Sequence, residues 1–180
     1  TQPFCDLEII VKPPVLIPRW ETEEWTHRLI TRLMQFFEKS YLTRLSQSSN
    51  SPFRILDICT GSGCIALSLA RSLPPNSCHI HGIDISSDAL SLANINLENI
   101  NKKRKFENHV EFLHLDILQT PISEIKSFVQ KATKYNYDEE NEFNQDNGFD
   151  LIVSNPPYIT HNEYATLDPD VRLWEDKCAL

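Results

Sequence analysis

The sequence predicts an α/β protein built on a mostly parallel sheet. Short apolar runs of the kind that form buried strands alternate with longer stretches of helical periodicity. Each apolar run ends in residues that carry chemistry, namely a glycine loop, single aspartates and an Asn-Pro-Pro-Tyr turn. Because the carboxyl ends of parallel strands share one edge of a sheet, these residues are expected to lie together at that edge.

The composition is that of a globular chain of about one domain. Of its 180 residues, 41% are hydrophobic and 23% charged, and no apolar run is long enough for a membrane span. The 17 Lys and Arg against 25 Asp and Glu give a net charge of −8, which disfavours direct binding of nucleic acid. The 5 cysteines have irregular spacing and no Cys-x-x-Cys pair, so neither a disulfide framework nor a metal site is predicted.

The first 40 residues are predicted to be an irregular, proline-rich segment followed by a helix that begins near Glu21. Acidic residues crowd the first turn of this helix, where they oppose the positive end of the helix dipole. An apolar residue then recurs at every fourth position and gives the helix one buried face: Trp25, Leu29, Leu33 and Phe37. We expect residues 1–40 to form an entry segment and helix that precede a larger unit formed by residues 41–180.

The strands are predicted in this second part. Ser86-Ser87-Asp88 provides the N-cap of one of the helices between them. A polar segment at about 119–148, acidic and Asn-rich in its second half, is expected to be a mobile surface insertion. The predicted strands are 54–59, 79–84, 110–115 and 149–154, and the predicted helices are 64–73 and 87–100.

The loop after the first predicted strand indicates a nucleotide-like ligand. Gly61 and Gly63 allow the backbone to approach a ligand closely. Asp84 follows Gly63 by 21 residues, at the end of the next strand, where a carboxylate can accept both hydroxyls of a ribose. The same pattern fits the dinucleotide fingerprint, so an NAD-dependent oxidoreductase is one alternative and a simple strand–helix turn is another.

Asp57 favours one of the two ligand classes. Its carboxylate stands four residues before Gly61, where it would repel a pyrophosphate and attract an ammonium group. S-Adenosylmethionine has an ammonium group, a ribose and an adenine, and it carries no phosphate. Asp57, Asp84 and Asp116 follow three successive strands in the order of these three groups, so S-adenosylmethionine is the predicted cofactor.

The turn Asn155-Pro156-Pro157-Tyr158 predicts the acceptor side of the site. Two consecutive prolines fix the backbone and remove two N–H donors. The side-chain oxygen of Asn155 and the carbonyl of Pro156 remain as acceptors for a planar NH2 group, and Tyr158 can stack on the plane of that group. A Pro-Pro turn that merely leaves the strand is the structural alternative.

These motifs resemble those of class I S-adenosylmethionine-dependent methyltransferases that act on planar nitrogen. Residues 16–23 (LIPRWETE) are similar to the IPRPxTE segment of HemK-type release factor glutamine N(5)-methyltransferases, and residues 174–180 (WEDKCAL) are similar to their EPxxAL segment. Trp20 and Asp176 stand where that family has proline, and Cys59 stands where it has the first glycine of the loop.

The resemblance implies a Rossmann-like fold, here without its last strands, and a methyltransferase that modifies the glutamine of the Gly-Gly-Gln motif in a peptide chain release factor. It also implies that residues 1–40 border the cleft of a catalytic domain that binds S-adenosylmethionine and is formed by residues 41–180. Members of the family are bacterial cytoplasmic or eukaryotic organellar proteins, and the Asn- and Ser-rich insertions favour a mitochondrial over a bacterial cytoplasmic location. No membrane contact is expected. An amino-methyltransferase of nucleic acid and a silent binding module of the same fold remain alternatives.

The resemblance also assigns roles to individual residues. Those expected at the cofactor are Asp57, Thr60, Gly61, Gly63, Asp84, Asp116 and Asn155. Those expected at the protein substrate are Arg19, Glu21, Asn155, Pro156, Pro157 and Tyr158, with Asn155, Pro156 and Tyr158 as the catalytic group.

Overall fold

The computed structural model describes residues 1–44, 52–103, 105–133 and 148–180. In chain order its strands are β1 (Gln2–Phe4), β2 (Leu7–Ile9), β3 (Phe53–Ile58), β4 (Cys78–Asp84), β5 (His109–His114) and β6 (Leu151–Ser154). Its helices are α1 (Trp20–Arg44), α2 (Cys64–Ser72), α3 (Ser87–Lys103), α4 (Ile122–Thr133), α5 (His161–Tyr164) and α6 (Pro169–Trp174), with a 3-10 turn at Lys177–Ala179.

A parallel four-stranded sheet in the order β5-β4-β3-β6 forms the centre of the fold. The predicted α/β class is thereby confirmed, and the strands and the two helices between them start within about two residues of their expected positions. The expected helix cap is also present, because the Ser86 hydroxyl accepts the backbone N–H of Ala89 at 3.2 Å.

Helices α1 and α2 pack against each other and cover the sheet. Cys64–Ala70, most of α2, is buried throughout. The apolar face predicted for α1 is confirmed, because Leu33 and Phe37 are buried and Trp25 and Leu29 pack against the core. The helix begins at Trp20 and runs past the boundary predicted at residue 40.

The prediction of an irregular segment over residues 1–20 was wrong for its first part. Residues 2–9 form an antiparallel hairpin of two three-residue strands, β1 and β2. Phe4 and Ile9 are almost fully buried, and the turn is tied to α1 because Cys5 N–H donates to Glu23 Oε1 at 2.8 Å. Strands this short show too little alternation to be recognised by pattern.

The prediction of a mobile insertion at 119–148 was wrong for its first half. Helix α4 occupies residues 122–133, with Ala132 buried and the Phe128 ring centroid 6.3 Å from that of His81 on the sheet. Most of the acidic second half lies outside the described residues. None of the helices in the described ranges has the length and apolar character that crossing a membrane requires.

Candidate active site

The register of the sheet brings the ends of β3, β4 and β6 to the same level. Ile58 pairs with Ile83 on one side and with Ser154 on the other. The next residue of each strand therefore begins the loop edge: Cys59 in the centre, with Asp84 and Asn155 on either side. Two predicted site residues, distant in sequence, thus flank the glycine loop.

The glycine loop has left-handed backbone at Gly61 (φ +56°) and Gly63 (φ +80°), a conformation that side chains disfavour. A Cβ atom at Gly61 would have no heavy atom within 4 Å, so open space adjoins the backbone there. At Gly63 a Cβ would lie 2.8 Å from Cζ of Phe112, so this glycine is required by packing as well. The loop is therefore closely packed against Phe112 at Gly63 and accessible to a ligand at Gly61.

Asp57 lies beneath the loop, inside β3, with no exposed surface. Its Oδ2 accepts the hydroxyl of Thr60 at 2.7 Å, while its Oδ1 is buried without a partner among the described residues. Burial raises the pKa of Asp57 from 3.8 to about 7, although hydrogen bonds from Thr60 and Ala66 act in the opposite direction. Asp57 thus supports the loop by accepting the Thr60 hydroxyl. In its ionised form the carboxylate would attract a cationic ligand on the other side of the loop.

Asp84 fastens the glycine loop to the end of β4. Its Oδ2 accepts the N–H of Gly61 at 2.9 Å and its Oδ1 accepts the N–H of Ser86 at 2.9 Å. The side chain is only partly buried, and each carboxylate oxygen keeps a lone pair for a hydroxyl donor. This geometry fits the role expected of it at a ribose.

Asp116 lies two residues beyond β5 and is half-buried. Its Oδ1 accepts the backbone N–H groups of Leu118 (3.0 Å) and Gln119 (3.1 Å), so the carboxylate caps the turn that follows the strand. The backbone of β5 is joined to β4 at this level, since Leu115 N–H donates to the Asp84 carbonyl at 3.1 Å. All three aspartates are therefore associated with one edge of the sheet, in the predicted order.

The thiol of Cys59 lies at this edge, close enough to Asp84 and Asp57 for their charges to affect its pKa. The residue has a left-handed backbone (φ 59°) at the position where the resembling family has glycine. Burial raises the pKa of its thiol, and the negative charges of Asp84 and Asp57 raise it further. The loop thus lies in a negative potential, which favours cationic ligands over a pyrophosphate.

The acceptor turn lies at the surface beside the loop. Pro156, Pro157 and Tyr158 are exposed, and the Tyr158 ring is 73% accessible. Asn155 is half-buried, and its Nδ2 donates to the hydroxyl of Thr22 in α1 at 3.4 Å. The resemblance places Thr22 at the border of the cleft, but its contact with Asn155 could not be predicted, because 133 residues separate the two side chains.

The predicted substrate residues of the N-terminal segment have different environments. Glu21 is exposed at the start of α1. Arg19 is instead engaged by Glu175, with 2.6 Å between its NH2 nitrogen and Glu175 Oε2. Glu175 is buried, and its Oε1 also accepts the N–H of Ile17 at 3.1 Å. Glu175 belongs to the WEDKCAL segment, so its similarity to a family motif already marked this residue in the sequence.

Residues 175–180, which we call the C-terminal clasp, are bonded both to the segment before α1 and to the end of the acceptor turn. On one side Glu175 binds Ile17 and Arg19, and Asp176 N–H donates to the Pro14 carbonyl at 2.7 Å. On the other side the Leu180 carbonyl accepts the N–H groups of Tyr158 (2.8 Å) and Ile159 (2.7 Å). The two segments that resemble family motifs therefore meet in space.

With this geometry established, comparison with known proteins identifies the family. The family model described as "Eco57I restriction-modification methylase" matches residues 78–175, more than half of the chain. The chain belongs to this methylase family. The described residues of the chain contain no group of three His, Cys, Asp or Glu side chains that could hold a metal ion.

Curated relatives of this chain have names that describe a narrower group of enzymes. The probable MRF1 mitochondrial N(5)-glutamine methyltransferase mtq1 of Schizosaccharomyces pombe is 33% identical over 182 residues, covering 100% of this chain and 48% of the relative. The release factor glutamine methyltransferase of Chlorobaculum tepidum is 33% identical over 177 residues, covering 98% and 49%. The predicted resemblance is confirmed, and the chain spans about half the length of these relatives.

Among solved structures, the N-terminal domain of human METTL16 in complex with SAH is similar to this chain. The TM-score is 0.43 at 21% identity, and the match covers 86% of this chain and 48% of that one.

Proposed function

We propose that the protein transfers a methyl group from S-adenosylmethionine to the side-chain amide nitrogen of a glutamine, in the Gly-Gly-Gln motif of a peptide chain release factor. The observation that carries the proposal is the place of Asn155, which directly follows β6 and lies level with the glycine loop that follows β3 and is bonded to Asp84. The names of the relatives, one mitochondrial and one bacterial, support the same acceptor.

The loop edge suits S-adenosylmethionine, which supplies a methyl group on a cationic sulfur. Gly61 leaves space beside its backbone, and Asp84 next to it has carboxylate lone pairs for the two ribose hydroxyls. Asp116 would border the adenine, while Asp57 would favour the cationic part of the ligand from beneath Thr60. The negative potential at Cys59 argues against the pyrophosphate of NAD.

The acceptor turn is suited to an amide nitrogen, which is a weak nucleophile because its lone pair is delocalised into the carbonyl. Asn155 Oδ1 and the Pro156 carbonyl would accept the two hydrogens of the substrate NH2 and aim its lone pair at the methyl group. Both oxygens also stabilise the positive charge that develops on nitrogen. No strong base is needed, since the proton can leave to water after transfer. The exposed Tyr158 ring can stack on the amide plane.

Two substitutions separate the acceptor side from the cofactor side. Asn155→Ala should abolish methylation of a release factor and leave the Kd for S-adenosylmethionine within about twofold, because Asn155 acts on the acceptor. Asp84→Ala should weaken cofactor binding by roughly tenfold or more, the value of a lost charge-assisted hydrogen bond. Asp88→Ala, which removes an exposed carboxylate from the same loop region, is the control.

The measurements are isothermal titration of the cofactor and transfer of labelled methyl to a release factor. Loss of cofactor binding in Asn155→Ala would contradict the acceptor role. An unchanged Kd in Asp84→Ala would contradict the ribose role. Mass spectrometry should find the label on the glutamine of the Gly-Gly-Gln motif.

Nucleic acid is the second candidate acceptor, because the matching family model is that of a restriction-modification methylase. An adenine or cytosine amino group also presents a planar NH2 to the Asn155 turn. The net charge of −8 weighs against it, since phosphate backbones are bound by basic surfaces. Labelled cofactor offered with DNA in place of the release factor tests this acceptor directly.

We also propose a mitochondrial location, supported by the name of the fission yeast relative, with the bacterial cytoplasm as the alternative that the Chlorobaculum relative supports. Cell fractionation followed by immunodetection distinguishes the two.

A further inference from the structure

The proposed chemistry, on which this inference rests, requires the Asn155 side chain to present its oxygen to the substrate. An asparagine amide carries an acceptor at one end and a two-hydrogen donor at the other. Rotation of the amide by a half turn would set NH2 against the NH2 of the substrate, which is repulsive. The substrate NH2 itself favours the productive orientation of the amide, but the Asn155 side chain must also be held in place for the substrate to meet its oxygen.

Thr22 is the one hydrogen-bonding partner that the Asn155 side chain has in the described part of the chain. The distance from Asn155 Nδ2 to Thr22 Oγ1 is 3.4 Å, and Thr22 is only 5% exposed. With Nδ2 engaged, Asn155 Oδ1 has no partner among the described residues, and it is not one of the buried unpartnered atoms. The oxygen is thus left for a ligand.

The backbone of Thr22 is fixed by contacts after it and before it in the chain. Its carbonyl accepts the hydroxyl of Thr26, one helical turn later, at 2.7 Å. The residues just before it are fixed by the C-terminal clasp, through the Arg19–Glu175 ion pair at 2.6 Å. The same clasp binds the backbone of Tyr158, three residues after Asn155. The C-terminal clasp therefore fixes the backbone near both Thr22 and Asn155.

We propose that Thr22 is a positioning residue for methyl transfer. Its hydroxyl accepts a hydrogen bond from Nδ2 of Asn155 and so holds the Asn155 side chain in place, with Oδ1 left for the amino group that is to be methylated. Thr22 contacts neither reacting atom in this account, and its effect is exerted through Asn155 alone.

Three variants test this role. Thr22→Val keeps the shape of the side chain and removes the hydroxyl, so kcat should fall about tenfold, the value of one neutral hydrogen bond. The Kd for S-adenosylmethionine and the KM for the acceptor should change less than twofold. Thr22→Ser restores the hydroxyl and should recover most of kcat. Thr31→Val removes a hydroxyl that bonds the His27 carbonyl in the same helix, nine residues after Thr22, and it controls for the loss of a hydroxyl from α1.

A spectroscopic measurement makes the test independent of the acceptor. The side-chain NH2 resonances of Asn155 in the 15N-labelled protein should shift in Thr22→Val and return in Thr22→Ser, while Thr31→Val leaves them unchanged. Equal kcat in wild type and Thr22→Val, or an equal fall in Thr22→Val and Thr31→Val, would overturn the proposal. If wild type methylates no release factor, the proposed function fails, and the resonances alone then decide on the contact.

Discussion

Asp57→Asn tests whether the buried carboxyl group beneath the glycine loop keeps its proton up to about neutral pH. Asparagine has nearly the same shape and keeps an oxygen that can accept the Thr60 hydroxyl, but it cannot ionise. The pKa of Asp57 is raised from 3.8 to about 7, chiefly by burial. At 1.36 kcal/mol per pKa unit, a shift of roughly 3 units corresponds to about 4 kcal/mol.

The sign of the effect follows from the raised pKa. The folded protein keeps this proton after the unfolded chain has lost it, so the group contributes stability that is fully present below about pH 4 and is lost as pH rises through about 7. Wild type should therefore lose stability relative to Asp57→Asn over this range. Of the full effect, about 2.5 kcal/mol falls between pH 5 and pH 8.

Urea unfolding of both proteins at several pH values, followed by tryptophan fluorescence, measures the difference. A constant offset from the buried amide of asparagine cancels, because only the change of the difference with pH is compared. Asp88→Asn removes a carboxylate from the exposed first turn of α3 and controls for net charge. A difference between wild type and Asp57→Asn that stays flat from pH 5 to pH 8 would refute the reasoning.

Three further substitutions test the frame of the site. Gly82→Ala should destabilise the protein by about 2–4 kcal/mol, since the added Cβ would lie 2.5 Å from Phe112 Cδ1, and an unchanged urea midpoint would contradict this packing. Gly61→Ala, with no atom within 4 Å of the added Cβ but φ at +56°, should cost only about 1 kcal/mol in the same assay. Glu175→Gln removes the charge that holds Arg19 and should lower the free energy of unfolding by about 1–3 kcal/mol, and a thermal melt at the wild-type temperature would exclude a stabilising ion pair.

The strands and the order of the site residues could be predicted from the sequence because their signals are local. An apolar run followed by Gly61 or by Asn155-Pro156 indicates both a strand and its end within a few residues. Parallel pairing then requires the ends to share one edge, so Asp84 and Asn155 could be expected beside the loop without knowledge of side-chain contacts.

Contacts between distant segments could not be predicted in this way. The Thr22–Asn155 hydrogen bond and the Arg19–Glu175 ion pair join residues separated by 133 and 156 positions, and no local pattern encodes such pairs. Helix α4 was missed for another reason. Its apolar residues Ile122, Ile125 and Phe128 do recur at helical spacing, but the polar residues around them made the whole segment resemble an unstructured insertion.

The C-terminal clasp has a consequence for the opening motions of the protein. The amide hydrogens of Ile17, Tyr158 and Ile159 are all bonded to it, although they belong to segments far apart in the chain. Release of the clasp would free all three together, so they should exchange with solvent deuterium at one shared rate. The segment around Ile17 and the end of the acceptor turn would then open as a single cooperative unit.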